Sequence, residues 1–253
     1  MVDRGDPRPP HQQIAAEIRA RIMSGDLLPG AKLPTTQALM ANYGVTNQTV
    51  QRSLAVLKQE GFLIGRAGSG VYVRENPQQA VEPASYMPPS SPGEPHSWVT
   101  EAAKRNLRGE ARILEVGEAR PPAQVRDALG LPENGVAVMR HRLMLLNGQP
   151  AELIRSYYPV EIARGTRLAD RRRIPGGSPT LLTEMGMPPV EFVDRISVRL
   201  PTSEEFVALE LPDDVPVLRT FRIVFTVERR PIEASVLVKA GHVFELEYRL
   251  PAR

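Results

Sequence analysis

Between residues 46 and 58 the chain sets Asn47, Gln48, Gln51, Arg52 and Lys58 on one side of a predicted helix. Val50, Leu54 and Leu57 recur at i, i+4 and i+7 on the other side. Amides and a guanidinium on an outer helix face are groups that read base edges: Asn and Gln pair bidentately with adenine, Arg with guanine. Lys58, further along, suits a phosphate. Thr35, Thr36 and Gln37 open a shorter predicted helix, where free backbone N–H groups and the helix dipole favour an anion. Thr46 and Thr49 add hydroxyls at the start of the longer one. Arg66 flanks Gly68-Ser69-Gly70, a tip whose glycines let the backbone approach a ligand closely. The plainer readings are a solvated helix face and an ordinary hairpin turn.

A second set of residues suits a small molecule. Arg140 and Arg142 alternate on a predicted strand and so share a face. Two guanidiniums on one face fit a carboxylate or phosphate; the alternative is a pair of exposed residues bridged to acids. Glu152 lies ten residues beyond Arg142, across a predicted turn at Gly148-Gln149-Pro150, and suits a hydroxyl or amine. Ser178 follows Gly176-Gly177, a flexible segment able to wrap an anion with backbone N–H groups. Tyr157 and Tyr158 are either cavity wall or core. Arg171-Arg172-Arg173 reads as a solvated loop and receives no role. The four histidines (11, 96, 141, 242) are scattered, and no H-E-x-x-H, G-x-S-x-G or P-loop spacing occurs. No catalytic residue, metal ligand or cofactor is assigned.

These residues need elements to hold them. Ile14, Ile18 and Ile22 give one apolar stripe on a helix from about 10 to 24. Thr35 caps a second helix that runs to Tyr43 and closes at Gly44; Thr46 caps the third, which Gly61 ends. Phe62–Ile64 and Val71–Val73 then flank the glycine tip as a hairpin. A short helix, a Gly-containing turn and a second helix form the helix-turn-helix plan, with the second helix in the major groove. Six of the nineteen residues from Pro77 to Pro95 are proline, which marks a semi-rigid linker. Blocks of 1–76 and 96–253 remain. The second alternates β-branched runs (111–116, 136–146, 151–158, 191–200, 217–227, 232–238) with helix-like pieces (96–108, 122–129, 180–185, 202–209). A capping box is predicted at Thr202-Ser203-Glu204-Glu205. The block is predicted as an antiparallel sheet with flanking helices, an α+β domain.

Leu33-Pro34-Thr35, Tyr43 through Val50, Leu57 through Phe62 and Gly68 through Val73 resemble the winged helix of GntR transcription regulators. Arg140-His141-Arg142, Ser156 through Pro159 and Glu204-Glu205 through Leu218 resemble the UTRA effector domain of the HutC subfamily, whose fold is similar to that of chorismate lyase. The resemblance implies a homodimer reading a palindromic double-stranded operator, probed through Thr35, Thr36, Gln37, Thr46, Asn47, Gln48, Thr49, Gln51, Arg52, Arg66, Gly68, Ser69 and Gly70. It also implies a repressor modulated by a small, expectedly anionic effector. Arg140, Arg142, Glu152 and Ser178 fall at effector-contacting positions of sugar-phosphate-sensing members. Thr180 stands where such members have an aromatic residue, and Tyr157 is counted with the effector residues. Gln37, Asn47 and Gln51 replace arginines common in the family, which points to an operator departing from the usual G-containing half-site.

Composition constrains the rest. The 32 Lys and Arg face 29 Asp and Glu, a net charge of +3, which permits nucleic-acid binding without indicating it. The absence of cysteine excludes disulfides and thiolate chemistry. No apolar run approaches a membrane span and the first residues lack an apolar signal core, so a cytoplasmic protein with no membrane partner is expected. Two other readings are a ligand-independent repressor of plasmid transfer or maintenance genes, and a lyase-like enzyme.

Overall fold

A computed structural model describes residues 5–75, 77, 79–81, 97–213 and 215–248. The chain divides into two compact units: Met1–Ala80 with His242–Glu245, and Val81–Gly241 with Leu246–Arg253. Of the expected linker at 77–95, Gln79–Val81 forms β3, which pairs with β10 (Phe244–Leu246) in a two-stranded sheet. Residues 82–95 of that linker lie outside the described residues.

In the first unit, α1 (Pro10–Met23) buries Ile14, Ala15, Ile18 and Ile22, the stripe expected from their spacing. α2 (Thr36–Tyr43) is capped by Thr35, whose Oγ1 accepts from Ala38 N, and stops at Gly44 in the left-handed conformation (φ 66°). α3 (Asn47–Gln59) is capped by Thr46 and buries Val50, Ser53, Leu54 and Leu57. Ser53 tolerates burial because its hydroxyl donates to Val50 O at 2.8 Å. Leu33, Leu39, Tyr43, Phe62, Leu63 and Val73 complete one core. Strands β1 (Leu63–Arg66) and β2 (Gly70–Val73) pair antiparallel, with Leu63 opposite Val73 and Arg66 opposite Gly70. Arg19 holds the buried Glu60 carboxylate through two hydrogen bonds of 2.8 and 2.6 Å, fastening α1 to the end of α3.

The second unit is built on a six-stranded, fully antiparallel sheet of order β4-β5-β6-β9-β8-β7. Its strands are β4 (Gly109–Ala119), β5 (Ala137–Leu146), β6 (Gln149–Pro159), β7 (Glu191–Arg199), β8 (Val217–Phe225) and β9 (Pro231–Ala240). The turn between β5 and β6 is Asn147-Gly148, both at positive φ, and not Gly148-Gln149-Pro150. A two-residue turn with both residues at positive φ matches the twist of the flanking strands, so Gln149 and Pro150 join the ladder. On one sheet face Val125 and Leu129, from α5 (Ala123–Ala128) and its end, pack with Met139, Tyr157, Phe221 and Ile223. On the other, Val138, Tyr158 and Val224 pack with Ile162 of α6 (Val160–Ala163) and Leu181 and Leu182 of α7 (Ser178–Glu184). The helix expected over 96–108 is shorter, α4 (Ser97–Ala103). It ends in a turn that holds Asn106 at φ 59° and brings Leu107 N to Ala102 O, and β4 then begins at Gly109, where a Cβ would lie 2.9 Å from Ala102 Cβ and Trp98 O.

The capping box opens α8 (Ser203–Ala208). Thr202 Oγ1 accepts from Glu205 N, and Glu205 Oε2 accepts from Thr202 N at 2.9 Å. Arg199 grips the same carboxylate with two bonds of 2.7 Å. Burial opposes the Glu205 charge, but the Arg199 fork and the Thr202 N–H outweigh it and hold the pKa below its ordinary 4.5. A carboxylate lowered by folding stabilises the fold above its unfolded pKa and loses that contribution as pH falls through the folded value. The gap in melting temperature between the wild-type chain and Glu205→Gln is therefore expected to be widest near neutrality. It should close as pH falls below about 4.5. An equal gap across that window would show that the carboxylate contributes nothing through its charge.

Candidate functional site

The first unit exposes a row of donors. Thr46, Asn47, Gln48, Gln51 and Arg52 are exposed at the start of α3, and Thr49 is half-buried with its Oγ1 3.1 Å from Thr46 Oγ1. Capping at Thr46 fixes the direction of this first turn, and the buried Val50 and Leu54 fix its rotation. Gln51 Nε2 donates to Thr36 Oγ1 at 3.3 Å, so that amide ties α3 to the start of α2. Among the described residues Asn47, Gln48 and Arg52 make no side-chain hydrogen bond within the fold. Thr35 and Gln37 are exposed beside them. A Cβ at Gly65 would sit 3.6 Å from Lys58 Nζ, which places the Lys58 ammonium against β1.

At the hairpin the Arg66 guanidinium lies 4.4 Å from the Tyr72 ring centroid, with Lys32 Nζ at 5.9 Å from the same ring. The Tyr72 and Ser69 hydroxyls are 2.6 Å apart. Gly68 and Gly70 have φ of 69° and 119°, conformations that a side chain resists. Lys32 and Tyr72 are additions to the expected set. They meet through an isolated bridge that joins residues forty positions apart, for which the sequence carries no local signal.

The second unit contains a cleft of about 870 Å³, counting the part open to solvent, on the sheet face opposite Tyr157. Alternation along the strands decides its lining: Arg142 and Met144 from β5, Glu152, Ile154 and Ser156 from β6, and Glu233, Ser235, Leu237 and Lys239 from β9. Asp194 and Arg222 come from β7 and β8, Trp98 from α4 and Ser178 from α7. Trp98 is fixed by donating to Leu145 O at 3.1 Å. A neighbouring recess of about 540 Å³ shares Trp98, Arg142 and Ser178 and adds Arg140, Arg173 and Gly177.

Charges here are largely paired. Lys239 donates to Glu152 in a short, buried contact between residues directly opposite on β9 and β6. Arg222 grips Asp194 with bonds of 2.7 and 2.6 Å and stacks 4.7 Å from the Phe192 ring. Burial works against the Arg222 charge, and the Asp194 carboxylate more than offsets it, so the pKa is raised. Arg142 Nη2 donates to Ser156 Oγ at 3.1 Å, and Arg142 Nε is buried with no partner among the described residues. Ser235 Oγ lies 2.7 Å from Ser156 Oγ and 2.6 Å from Glu233 Oε1. Ser178 Oγ donates to Glu233 Oε2 at 3.4 Å.

Of the residues expected to meet an effector, Arg142, Glu152 and Ser178 line the cleft. Arg140 shares their face but is only 3% exposed, and its guanidinium donates to the carbonyls of Arg167, Leu168, Asp170 and Arg172 at 2.5–3.2 Å. It holds that loop together and borders only the recess; burial lowers its pKa. Tyr157 is displaced to the opposite face and packs in the core, because neighbouring strand residues alternate. Thr180 bonds back to Gly176 O at 3.0 Å in the first turn of α7 and lines neither space. Asp194, Arg222, Glu233 and Lys239 escaped the sequence reading. Asp194, Arg222 and Glu233 fall inside the expected strand runs 191–200, 217–227 and 232–238, and Lys239 one residue beyond, so alternation could have assigned each a face, but which strands neighbour one another was set by sheet register. Among the described residues no group of three His, Asp or Glu is placed to hold a metal ion, and no helix is long and apolar enough to cross a membrane.

Both units are similar to known proteins. The chain is 28% identical over 247 residues to an HTH-type transcriptional regulator of Streptomyces coelicolor, covering 95% of this chain and 92% of that one. Over 68 residues it is 43% identical to the mannosyl-D-glycerate transport/metabolism system repressor MngR of Escherichia coli, covering 27% and 28% of the two chains. A crystal structure of a GntR-family transcriptional regulator superposes with a TM-score of 0.61 at 23% identity, over 97% of this chain and 99% of that one. Residues 10–73 match the bacterial regulatory proteins of the gntR family and residues 104–245 match the UTRA domain, so the chain belongs to the GntR family of bacterial regulators that carry a UTRA domain.

Proposed function

We propose that the chain is a homodimeric repressor that binds a two-fold symmetric operator through α3 and the β1–β2 hairpin and is released by a small molecule held in the cleft of the second unit. The observation that carries this is the row of exposed donors at the start of α3, over a buried apolar underside that fixes their aim. The 43% identity over 68 residues to a repressor supports repression over activation. Two-fold assemblies read two-fold sites, so a dimer gives two copies of a small reading head a combined affinity neither has alone. Regulation follows if the effector binds the free and DNA-bound states with different affinity. The functional set of the second unit is a recognition cleft with no nucleophile–base pair assigned, and the chain acts in the cytoplasm as a regulator and not an enzyme.

Asn47, Gln48 and Gln51 favour adenine over guanine. Selection of bound duplexes from random DNA with the full chain is expected to return an inverted repeat whose half-sites are enriched in adenine at the α3 contacts. Recovery of the family's ordinary G-containing half-site would overturn that assignment, and recovery of no enriched sequence would overturn the regulator reading. Sedimentation of the chain with and without the selected duplex checks the two-to-one stoichiometry.

A further inference from the structure

We propose that the effector of this cleft is a zwitterion, a small molecule that brings a protonated amine to Glu233 and a carboxylate or phosphate to Arg142. The inference rests on the effector reading above and narrows its ligand class.

The cleft lining holds three cations and three anions, so it has no net charge with which to attract a plain anion. Four of the six are already matched: Glu152 with Lys239 and Asp194 with Arg222. Each pair satisfies the charge of its partner where burial makes an unmatched charge costly. Arg142 and Glu233 are left. Arg142 has only a serine hydroxyl on Nη2, and its buried Nε is unpartnered among the described residues. Glu233 is held by the hydroxyls of Ser235 and Ser178, and no cation among the described residues makes an ion pair with it; the Arg222 and Arg140 charges act on it only from farther off.

The two groups stand at opposite ends of a chain of three hydrogen bonds through Ser156 and Ser235, within the reach of a small molecule. The surroundings divide in the same sense. The recess beside Arg142 adds the Arg140 and Arg173 side chains and contains no carboxylate, which favours the anionic group of a ligand there. A ligand bearing only an anion would satisfy Arg142 and leave Glu233 facing like charge in the same cleft. A ligand with both groups completes both. Glu152, the carboxylate that sequence alone offers to an amine, is the one that Lys239 already neutralises.

The test uses the full chain and three families of probes: 4-aminobutanoate, 5-aminopentanoate and 2-amino-2-deoxygluconate, each beside its deaminated acid and its carboxamide. Thermal shift and calorimetry are expected to show at least one zwitterion raising the melting temperature and binding at least tenfold more tightly than both of its singly charged counterparts. Arg142→Gln should abolish the preference over the carboxamide, and Glu233→Gln the preference over the deaminated acid. Equal or tighter binding of a deaminated acid overturns the proposal, as does a flat response across all the zwitterions. Anisotropy with the selected operator separates this from the broader reading: an anion that binds and releases DNA leaves the regulator reading intact and overturns the zwitterion.

Discussion

Replacing Lys239 with Met is expected to destabilise the second unit by about 3 kcal/mol, the lower end of what removing one partner of a buried ion pair costs. Lys239 and Glu152 side chains are 7% and 5% exposed and face each other directly across β9 and β6. The substitution leaves the buried Glu152 carboxylate in the wall of the cleft without its ion-pair partner. The nearby Arg222 charge acts on Glu152 as well, which is why the lower figure applies. For a unit of this size that loss corresponds to a fall of roughly 10 °C in melting temperature. Glu152→Leu combined with Lys239→Met removes both charges and keeps the volume, and most of the stability should return. A single variant that melts within a degree or so of wild type, or a double variant no better than the single, would show that the pair is not a stabilising unit.

The second large effect concerns DNA. Asn47→Ala combined with Arg52→Ala is expected to weaken operator binding by about two to four orders of magnitude, because each bidentate base contact contributes roughly 1–3 kcal/mol of discrimination. Both side chains are exposed and make no side-chain hydrogen bond among the described residues, so the melting temperature should stay within a degree or so of wild type. The single variants separate two roles for the guanidinium. If Arg52 reads guanine, Arg52→Ala relaxes the preference at one operator position. If it clamps a phosphate, affinity falls evenly across sequences and the salt slope drops by about 1. Gln51→Ala differs from both, since its amide also holds Thr36; a loss of stability should accompany any loss of affinity. Full retention of operator affinity in the double variant would remove α3 from the reading interface.

The first unit was legible because its signals are local. Thr35 and Thr46 each cap a helix three residues upstream of the N–H they satisfy, and Gly44 and Gly61 end helices where a left-handed turn is required. The cleft was legible only in part, because sheet register composes it. Lys239 and Glu152 are 87 residues apart, and the carbonyls that occupy Arg140 lie 27–32 residues beyond it. The two arginines on one face were read correctly as sharing it, but the sequence says nothing of which one a loop will cover. Tyr157 illustrates the same limit at the smallest scale. A single step along β6 separates it from Ser156, yet one residue packs against α5 and the other lines the cleft.

The serine row between Arg142 and Glu233 has a direction as well as a length. A hydroxyl has one hydrogen to donate, and Arg142 can only donate while an ionised Glu233 can only accept. Ser156 accepts from both Arg142 and Ser235, so the one Ser235 hydrogen serves either Ser156 or the Glu233 carboxylate and not both at once. If the ligand proposed above brings a cation to Glu233, that hydrogen is released to Ser156, and the row turns from the carboxylate toward the guanidinium end.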